Sequence, residues 1–261
     1  MPEPEATADL ALLTTAALAA GRLATPFYHG DAQVWDKPDQ AGPVTEADLA
    51  VDAMLNQTLR AARPDYGWLS EETPDTPDRL TRSHVFIVDP IDGTRAFVEG
   101  DETWSHSLAV ARDGQITAAV VYLPLKDRLY TAALGGGAHL NGVPLRASRR
   151  ADPVGATLLA NKWSMEPRYW PGGPPQIKRH FRSSLAYRLA LIGEGRFDAM
   201  VTFRDTWEWD IAAGSLIAQE AGATVTNRTA GPLSFNQPAP LSAGVVAAGP
   251  DLHAGLIARH R

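Results

Sequence analysis

The stretch Asp89-Pro90-Ile91-Asp92-Gly93-Thr94 places two carboxylates and a hydroxyl directly after the apolar run Val85-Phe86-Ile87-Val88. Such a run reads as a buried strand, and open sheets gather their chemistry at the carboxyl ends of strands. Two acids held there repel unless a cation lies between them, and a hard divalent ion such as Mg²⁺ takes carboxylate, carbonyl and water oxygens. Three further acids, Asp48, Glu71 and Asp210, stand at the edges of expected elements rather than along solvated faces. Each has an ordinary reading: Asp48 completes a capping box with Thr45, Asp210 caps the helix that follows it, and Glu71 is one of two acids in a loop. A cation between Asp89 and Asp92 requires more oxygen ligands, however, and Glu71 and Asp210 are the natural donors. Gly93-Thr94 then opens a short helix through Arg95. Its free N–H groups, approached closely because glycine has no side chain, form a seat for phosphate.

The elements that must position these residues are legible from periodicity. A helix is expected over residues 8–24, capped near Thr7, and a second opens at Thr45 with an apolar face through Val51, Leu55 and Leu59. Between them lies a polar loop, Asp36 to Pro43. Strands are expected at Ser105 to Arg112, Gln115 to Leu123 and Leu129 to Ala133, with turns at Asp113-Gly114 and Asn141-Gly142. The composition shifts near Asp152-Pro153, which divides the chain into an N-terminal α+β domain, 1–152, carrying most metal ligands, and a C-terminal α/β domain, 153–261, carrying Asp210 and the specificity segments. In the second domain, helices are expected at Ser184 to Gly193, Asp210 to Ala221 and from Asp251, between strands at 199–203, 224–226 and 245–248.

The composition narrows the function. A chain of 261 residues, 44% hydrophobic, can bury a large core, and its net charge of −6 without a long basic run argues against a nucleic-acid polymer or an anionic membrane as partner. The absence of cysteine excludes thiolate metal sites and cysteine nucleophiles, and fits a reducing interior. Asp9, Thr14, Thr15 and Arg22 interrupt the Ala/Leu-rich first helix, so it reads as packed rather than as a leader or a membrane span, and the expected location is cytoplasmic. No Gly-x-x-x-x-Gly-Lys loop, Gly-x-Ser-x-Gly elbow or His-Glu-x-x-His pair is present. An aspartyl-phosphate mechanism of the haloacid-dehalogenase kind uses aspartates one residue apart. Asp89 and Asp92 are separated by two residues, which leaves attack by a metal-activated water.

These residues resemble the inositol monophosphatase superfamily of Mg²⁺-dependent, lithium-sensitive phosphomonoesterases. The resemblance runs through Pro43-Val44-Thr45-x-x-Asp48, Ser70-Glu71-Glu72, the Asp89–Thr94 sextet, Gly135-Gly136-Gly137-Ala138 with Leu140-Asn141-Gly142, and Trp209-Asp210-x-Ala212-Ala213-Gly214 to Glu220-Ala221-Gly222. It implies a layered α-β-α-β-α sandwich of the inositol monophosphatase/fructose-1,6-bisphosphatase type, two or three Mg²⁺ per active site, a small phosphorylated substrate and a homodimer. By the same resemblance Glu71, Asp89 and the Ile91 carbonyl would hold one ion, and Asp89, Asp92 and Asp210 the second. Thr94 and Asp48, beside Glu71, would take the proton of the attacking water, and the Gly93 and Thr94 N–H groups would meet the phosphate.

The substrate expected from sequence is adenosine 3′,5′-bisphosphate, losing its 3′-phosphate. In inositol-specific relatives a glutamate seven residues before the last metal-binding aspartate contacts sugar hydroxyls, and counting back from Asp210 reaches Phe203, next to Arg204. Arg95, Phe97 and Val120-Val121-Tyr122-x-Pro124 look like the 3′(2′),5′-bisphosphate nucleotidase branch. Asn161-Lys162-Trp163 and Lys178 to Arg182 would supply cations and an aromatic face, with Ser183 and Ser184 following. Inositol 1-phosphate and then histidinol phosphate are the alternative substrates. The alternative of another class is a catalytically silent metal- or phosphate-binding protein.

Overall fold

The computed structural model describes residues 2–28, 30, 32–37 and 42–260, so part of the loop read at Asp36 to Pro43 lies outside the described residues. The chain begins with helix α1, Pro4–Ala24, and a hairpin of β1, Val34–Asp36, with β2, Pro43–Thr45. Helix α2, Glu46–Ala62, follows directly. A complete capping box starts it, Thr45 and Asp48 each bonding the other's backbone N–H, a device that stabilises a helix end by about 1 kcal/mol. Helix α1 starts earlier than its expected cap at Thr7. Pro4 occupies the first turn, where its missing N–H costs nothing, and the Thr7 hydroxyl turns back to the Glu3 carbonyl.

Seven strands then form one sheet in chain order: β3 Gly67–Ser70, β4 His84–Asp92, β5 Ser105–Arg112, β6 Gln115–Leu123, β7 Arg128–Ala133, β8 Ala138–Leu140 and β9 Val143–Pro144. Only β3 and β4 run parallel; the other neighbours are antiparallel. Helix α3, Thr94–Glu99, leaves the end of β4. Past Asp152 come β10 Thr157–Leu159, β11 Lys178–His180, α4 Leu185–Gly193, β12 Ala199–Thr202, β13 Thr206–Trp207, α5 Glu208–Glu220, β14 Thr224–Thr226, β15 Leu241–Ser242, β16 Val245–Ala248 and α6 Pro250–His260. A mixed second sheet has the order β11-β10-β12-β16-β14, and β13 pairs with β15.

Strands β4, β5 and β6 are buried along nearly their whole length, so the first sheet needs cover on both faces, and the layers follow from that need. Helices α1 and α2 close one face of the first sheet around Leu13, Val51, Leu55, Phe86 and Val88. Helices α4 and α5 fill the space between the two sheets, and α6 covers the outer face of the second. The result is the expected α-β-α-β-α sandwich. One apolar cluster joins Ile87 and Val121 of the first sheet to Leu189, Ile217 and Val245, drawing on both sides of Asp152. The fully buried Val85–Val88 run contributes roughly 1.5–3 kcal/mol for each large side chain. Pro4–Phe27 is long enough to span a bilayer and contains an 18-residue window of mean hydropathy 1.3, more apolar than the sequence reading allowed, but a packed core helix has the same length and composition. In the fold its Leu13, Ala17 and Ala20 are buried, and Gly21 lies so close to the Tyr122 ring that an added Cβ would stand 2.6 Å from it.

Two of the glycine-bearing motifs meet far from the acids. The Glu220 carboxylate accepts the N–H groups of Gly135 (2.9 Å) and Gly137 (2.8 Å), tying the loop after β7 to the end of α5.

Candidate active site

The carboxyl end of β4 carries Asp89 and Asp92. In a regular strand, residues three apart point to opposite faces, because the side-chain period is two. Here the β4–β5 register shifts between them: Asp89 pairs with Ser107 and Asp92 with Ser105, so Pro90 and Ile91 together face His106. The extra residue turns both acids to the α4/α5 side. Glu71 lies one residue past β3, its N–H on the Val88 carbonyl at 3.2 Å, and Ser70 before it donates to Asp52 at 2.5 Å. Asp210 sits in the first turn of α5, which begins at Glu208. It therefore does not cap that helix, whose N-cap, Trp207, has no side-chain cap bond.

Glu71, Asp89 and Asp210 converge, each offering a carboxylate oxygen within 4.8 Å of the others. Burial, then the charges of Glu71, Asp92 and Asp210, raise the Asp89 carboxyl well above its ordinary value. Burial and the charges of Asp92 and Glu71 do the same to Asp210. Asp89 Oδ1 is buried with no hydrogen-bond partner, which an acceptor-only oxygen tolerates when a cation binds it. An all-oxygen set with an orphaned carboxylate atom fits Mg²⁺. Asp92 stands beside this trio, also lining the cavity, but its Oδ2 accepts the Ser184 hydroxyl (2.7 Å) and the Ala186 N–H (2.6 Å) at the start of α4. Burial pushes it up to about 6, and those bonds restrain the rise.

Gly93, at φ +99°, turns the chain from β4 into α3. The Thr94 hydroxyl lies 3.1 Å from both Asp48 Oδ1 and the Ile91 carbonyl, and its one proton serves one of them at a time. Asp48 does two jobs: Oδ2 closes the capping box at Thr45 (2.8 Å to its N–H) while Oδ1 faces Thr94. Burial raises Asp48 to about 6.

Glu71, Asp89, Asp92, Thr94 and Asp210 line one cavity of about 680 Å³, whereas Asp48 and Ile91 are fully buried and are not among its lining residues. Gly93, Ser183 and Arg204 also line it. Lys162 is exposed outside the lining residues, its ammonium 5.1 Å from the Trp163 ring centre, and Ser184 is fully buried as the N-cap of α4. Phe203 does not face the cavity. It is buried with Tyr169 and Trp170 and stacks on His260 at 4.0 Å; Thr202, Arg204 and Asp205 line the cavity instead. Phe97 is likewise in the core, against Tyr28 and Trp104.

Sequence reasoning passed over several groups at this site. Lys37 bonds both Glu71 and Glu72 at 2.7 Å, with no signal in its polar loop. Arg188 lines the cavity, donates to the Arg182 and Ser183 carbonyls, and is lowered to about 10 by burial. A lone arginine in the apolar helix Leu185–Gly193 was the available signal. His106 is fully buried with Nδ1 2.5 Å from the Pro90 carbonyl, and burial pushes it down to about 4.

A two-sheet sandwich with an acidic, cation-hungry cavity at strand and helix ends defines a metal-dependent phosphomonoesterase. The model of the Inositol monophosphatase family matches residues 5–261, and the chain belongs to that family. It is 37% identical over 216 residues to the Inositol-1-monophosphatase of Rhizobium meliloti, covering 79% of this chain and 77% of the relative. It is 31% identical over 225 residues to the Histidinol-phosphatase of Chlorobaculum parvum, covering 83% and 84%. Among solved structures, Thermotoga maritima IMPase superposes with a TM-score of 0.82 at 26% identity, covering 96% of this chain and 95% of that one.

Proposed function

We propose that this chain is a Mg²⁺-dependent phosphatase of the inositol-1-phosphate type. The observation that carries the reading is the convergence of Glu71, Asp89 and Asp210 around the unpaired Asp89 Oδ1. Asp92, the Ile91 carbonyl and these three acids would hold the metal. When bound, Mg²⁺ would neutralise phosphoryl charge and lower the pKa of the attacking water. Thr94, hydrogen-bonded to Asp48, would orient that water and pass its proton to the carboxylate, whose raised pKa suits a base near neutrality. The unpaired N–H groups that begin α3, opened by Gly93, would meet the phosphate oxygens.

The choice of inositol phosphate over adenosine 3′,5′-bisphosphate is supported from two sides. The Rhizobium meliloti relative is named for inositol 1-phosphate chemistry. Of the residues that favoured a nucleotide, Phe203, Phe97 and Lys162 do not line the cavity, although Arg95, Asn161 and Phe181 do. Phosphate release from inositol 1-phosphate, histidinol phosphate, adenosine 3′,5′-bisphosphate and fructose 1,6-bisphosphate, each with Mg²⁺ and with EDTA, tests the reading. The highest kcat/KM is expected for inositol 1-phosphate, with no turnover in EDTA. Preferred hydrolysis of the nucleotide, or turnover without metal, would overturn it.

A further inference from the structure

Strand β5 opens with three consecutive polar residues, Ser105-His106-Ser107, and all three side chains are fully buried. Burying a polar group without a partner costs about 1–3 kcal/mol, so a run of three ahead of the apolar Leu108–Ala111 is notable for what it touches, although His106 Nε2 is itself buried without a hydrogen-bond partner. Each member touches a different segment of the acidic site. Ser107 Oγ donates to the Trp209 carbonyl at 3.0 Å, the peptide that leads into Asp210. His106 Nδ1 meets the Pro90 carbonyl inside the bulge between Asp89 and Asp92; a carbonyl only accepts, so Nδ1 carries the proton. Ser105 Oγ lies 3.0 Å from Ser184 Oγ. The Ser184 proton already goes to Asp92 Oδ2, and its oxygen also accepts the Tyr187 N–H, so Ser105 is the donor in this pair.

We propose that the buried triplet Ser105-His106-Ser107 is the positioning element of the metal site. It sets the spacing of the Asp89/Ile91/Asp92 bulge and of Asp210 from one rigid strand. The alternation of the strand makes this possible: Ser105 and Ser107 point toward α4 and α5, while His106, on the opposite face between Trp104 and Tyr122, grips the bulge from beneath. Four acids that repel in the absence of metal would otherwise spread apart, and pre-setting them spares the ion that work. None of the three residues lines the cavity or belongs to the converging acids; they act through the backbone and through Ser184. The inference rests on the proposed metal site.

The test measures Mg²⁺ affinity by calorimetry alongside Tm in EDTA. Ser105→Ala and Ser107→Ala, each losing one oxygen, and His106→Leu are expected to weaken Mg²⁺ binding about tenfold or more, the range seen when groups behind metal ligands are removed. Ser107→Thr and His106→Asn keep the donor and are expected to stay within about threefold of the unaltered protein. Val110→Ala, in the same strand and buried but remote from the acids, is expected to lower Tm with Mg²⁺ affinity unchanged. Alanine variants that lose Tm yet bind Mg²⁺ as tightly as the unaltered protein would overturn the positioning role and leave the metal site standing. Absence of Mg²⁺ binding by the unaltered protein would instead overturn the metal site on which the inference rests. Should His106→Leu fail to fold, the two serine variants decide alone.

Discussion

The Thr94 hydroxyl and Asp48 Oδ1 meet at 3.1 Å, joining the start of α3 to the capping box of α2 across 46 residues of chain. Asp48 is thereby held from one side by Thr45 and reads Thr94 from the other. A carboxylate so fixed, and raised to about 6 by burial, is placed to receive a proton through Thr94. Thr94→Ala is expected to lower kcat by about 10²–10⁴ with Mg²⁺ affinity nearly unchanged, and Thr94→Ser to retain most activity. Steady-state phosphate release and metal titration of the same preparations check this. Full activity of Thr94→Ala would remove the relay.

Asp89 and Asp92 have different mutational consequences, although both lie in the sextet. Asp89 Oδ1 has no partner and its neighbours are acids, so Asp89→Asn is expected to abolish Mg²⁺ binding while raising Tm in EDTA. Asp92 also accepts the Ala186 N–H and the Ser184 hydroxyl, so Asp92→Ala is expected to cost roughly 1–3 kcal/mol of stability besides activity. Thermal melts of the two variants without metal should move in opposite directions.

The buried acids link stability to pH. Burial raises Asp48 and Asp92 to about 6 and Asp89 and Asp210 well upward, so the metal-free fold holds protons more tightly than the unfolded chain. Their contribution to stability is complete below the unfolded carboxylate value and is lost as pH climbs through the raised folded values, about 6 for Asp48 and Asp92. His106, lowered to about 4, and His253, also lowered, act in the opposite sense, losing stability as pH falls below their unfolded value. Mg²⁺ binds the deprotonated oxygens, so the Tm gained on adding it should be larger at about pH 7.5 than at about pH 5.5, and activity should favour neutral to alkaline conditions. An equal gain at both pH values would contradict the linkage.

Phe203 belongs to the core of the second sheet, stacked on His260. Phe203→Ala is expected to destabilise by about 3–5 kcal/mol, leaving the ratios of kcat/KM among the candidate substrates unchanged. Denaturant unfolding and the substrate panel check both halves of this. A switch in preferred substrate would place Phe203 in specificity after all.

Much of the fold was legible because its signals are local. Strand-like apolar runs and an Asp-Gly turn marked Ser105–Arg112 and Gln115–Leu123, and Thr45 with Asp48 announced the start of α2. Positions reached by counting were less secure. The step back from Asp210 landed on Phe203, but the chain leaving β12 turns that ring into the core and sets Thr202 and Arg204 along the cavity. Lys37 on Glu71 and Glu72, and the three polar residues that open β5, had no local pattern to reveal their partners.

The sequence by itself determined the donor chemistry: oxygen ligands without thiols, and an acid-rich strand end followed by glycine and threonine. Residue type and short-range backbone preference carry that information, because both act over a few residues. Only the tertiary structure decided that Asp89 and Asp92 share a face, through a bulge whose register is set by Ser105 and Ser107 on the neighbouring strand. Only it brought Glu71 and Asp210 to Asp89, since the packing of two sheets about α4 and α5 fixes distances between segments far apart in the chain.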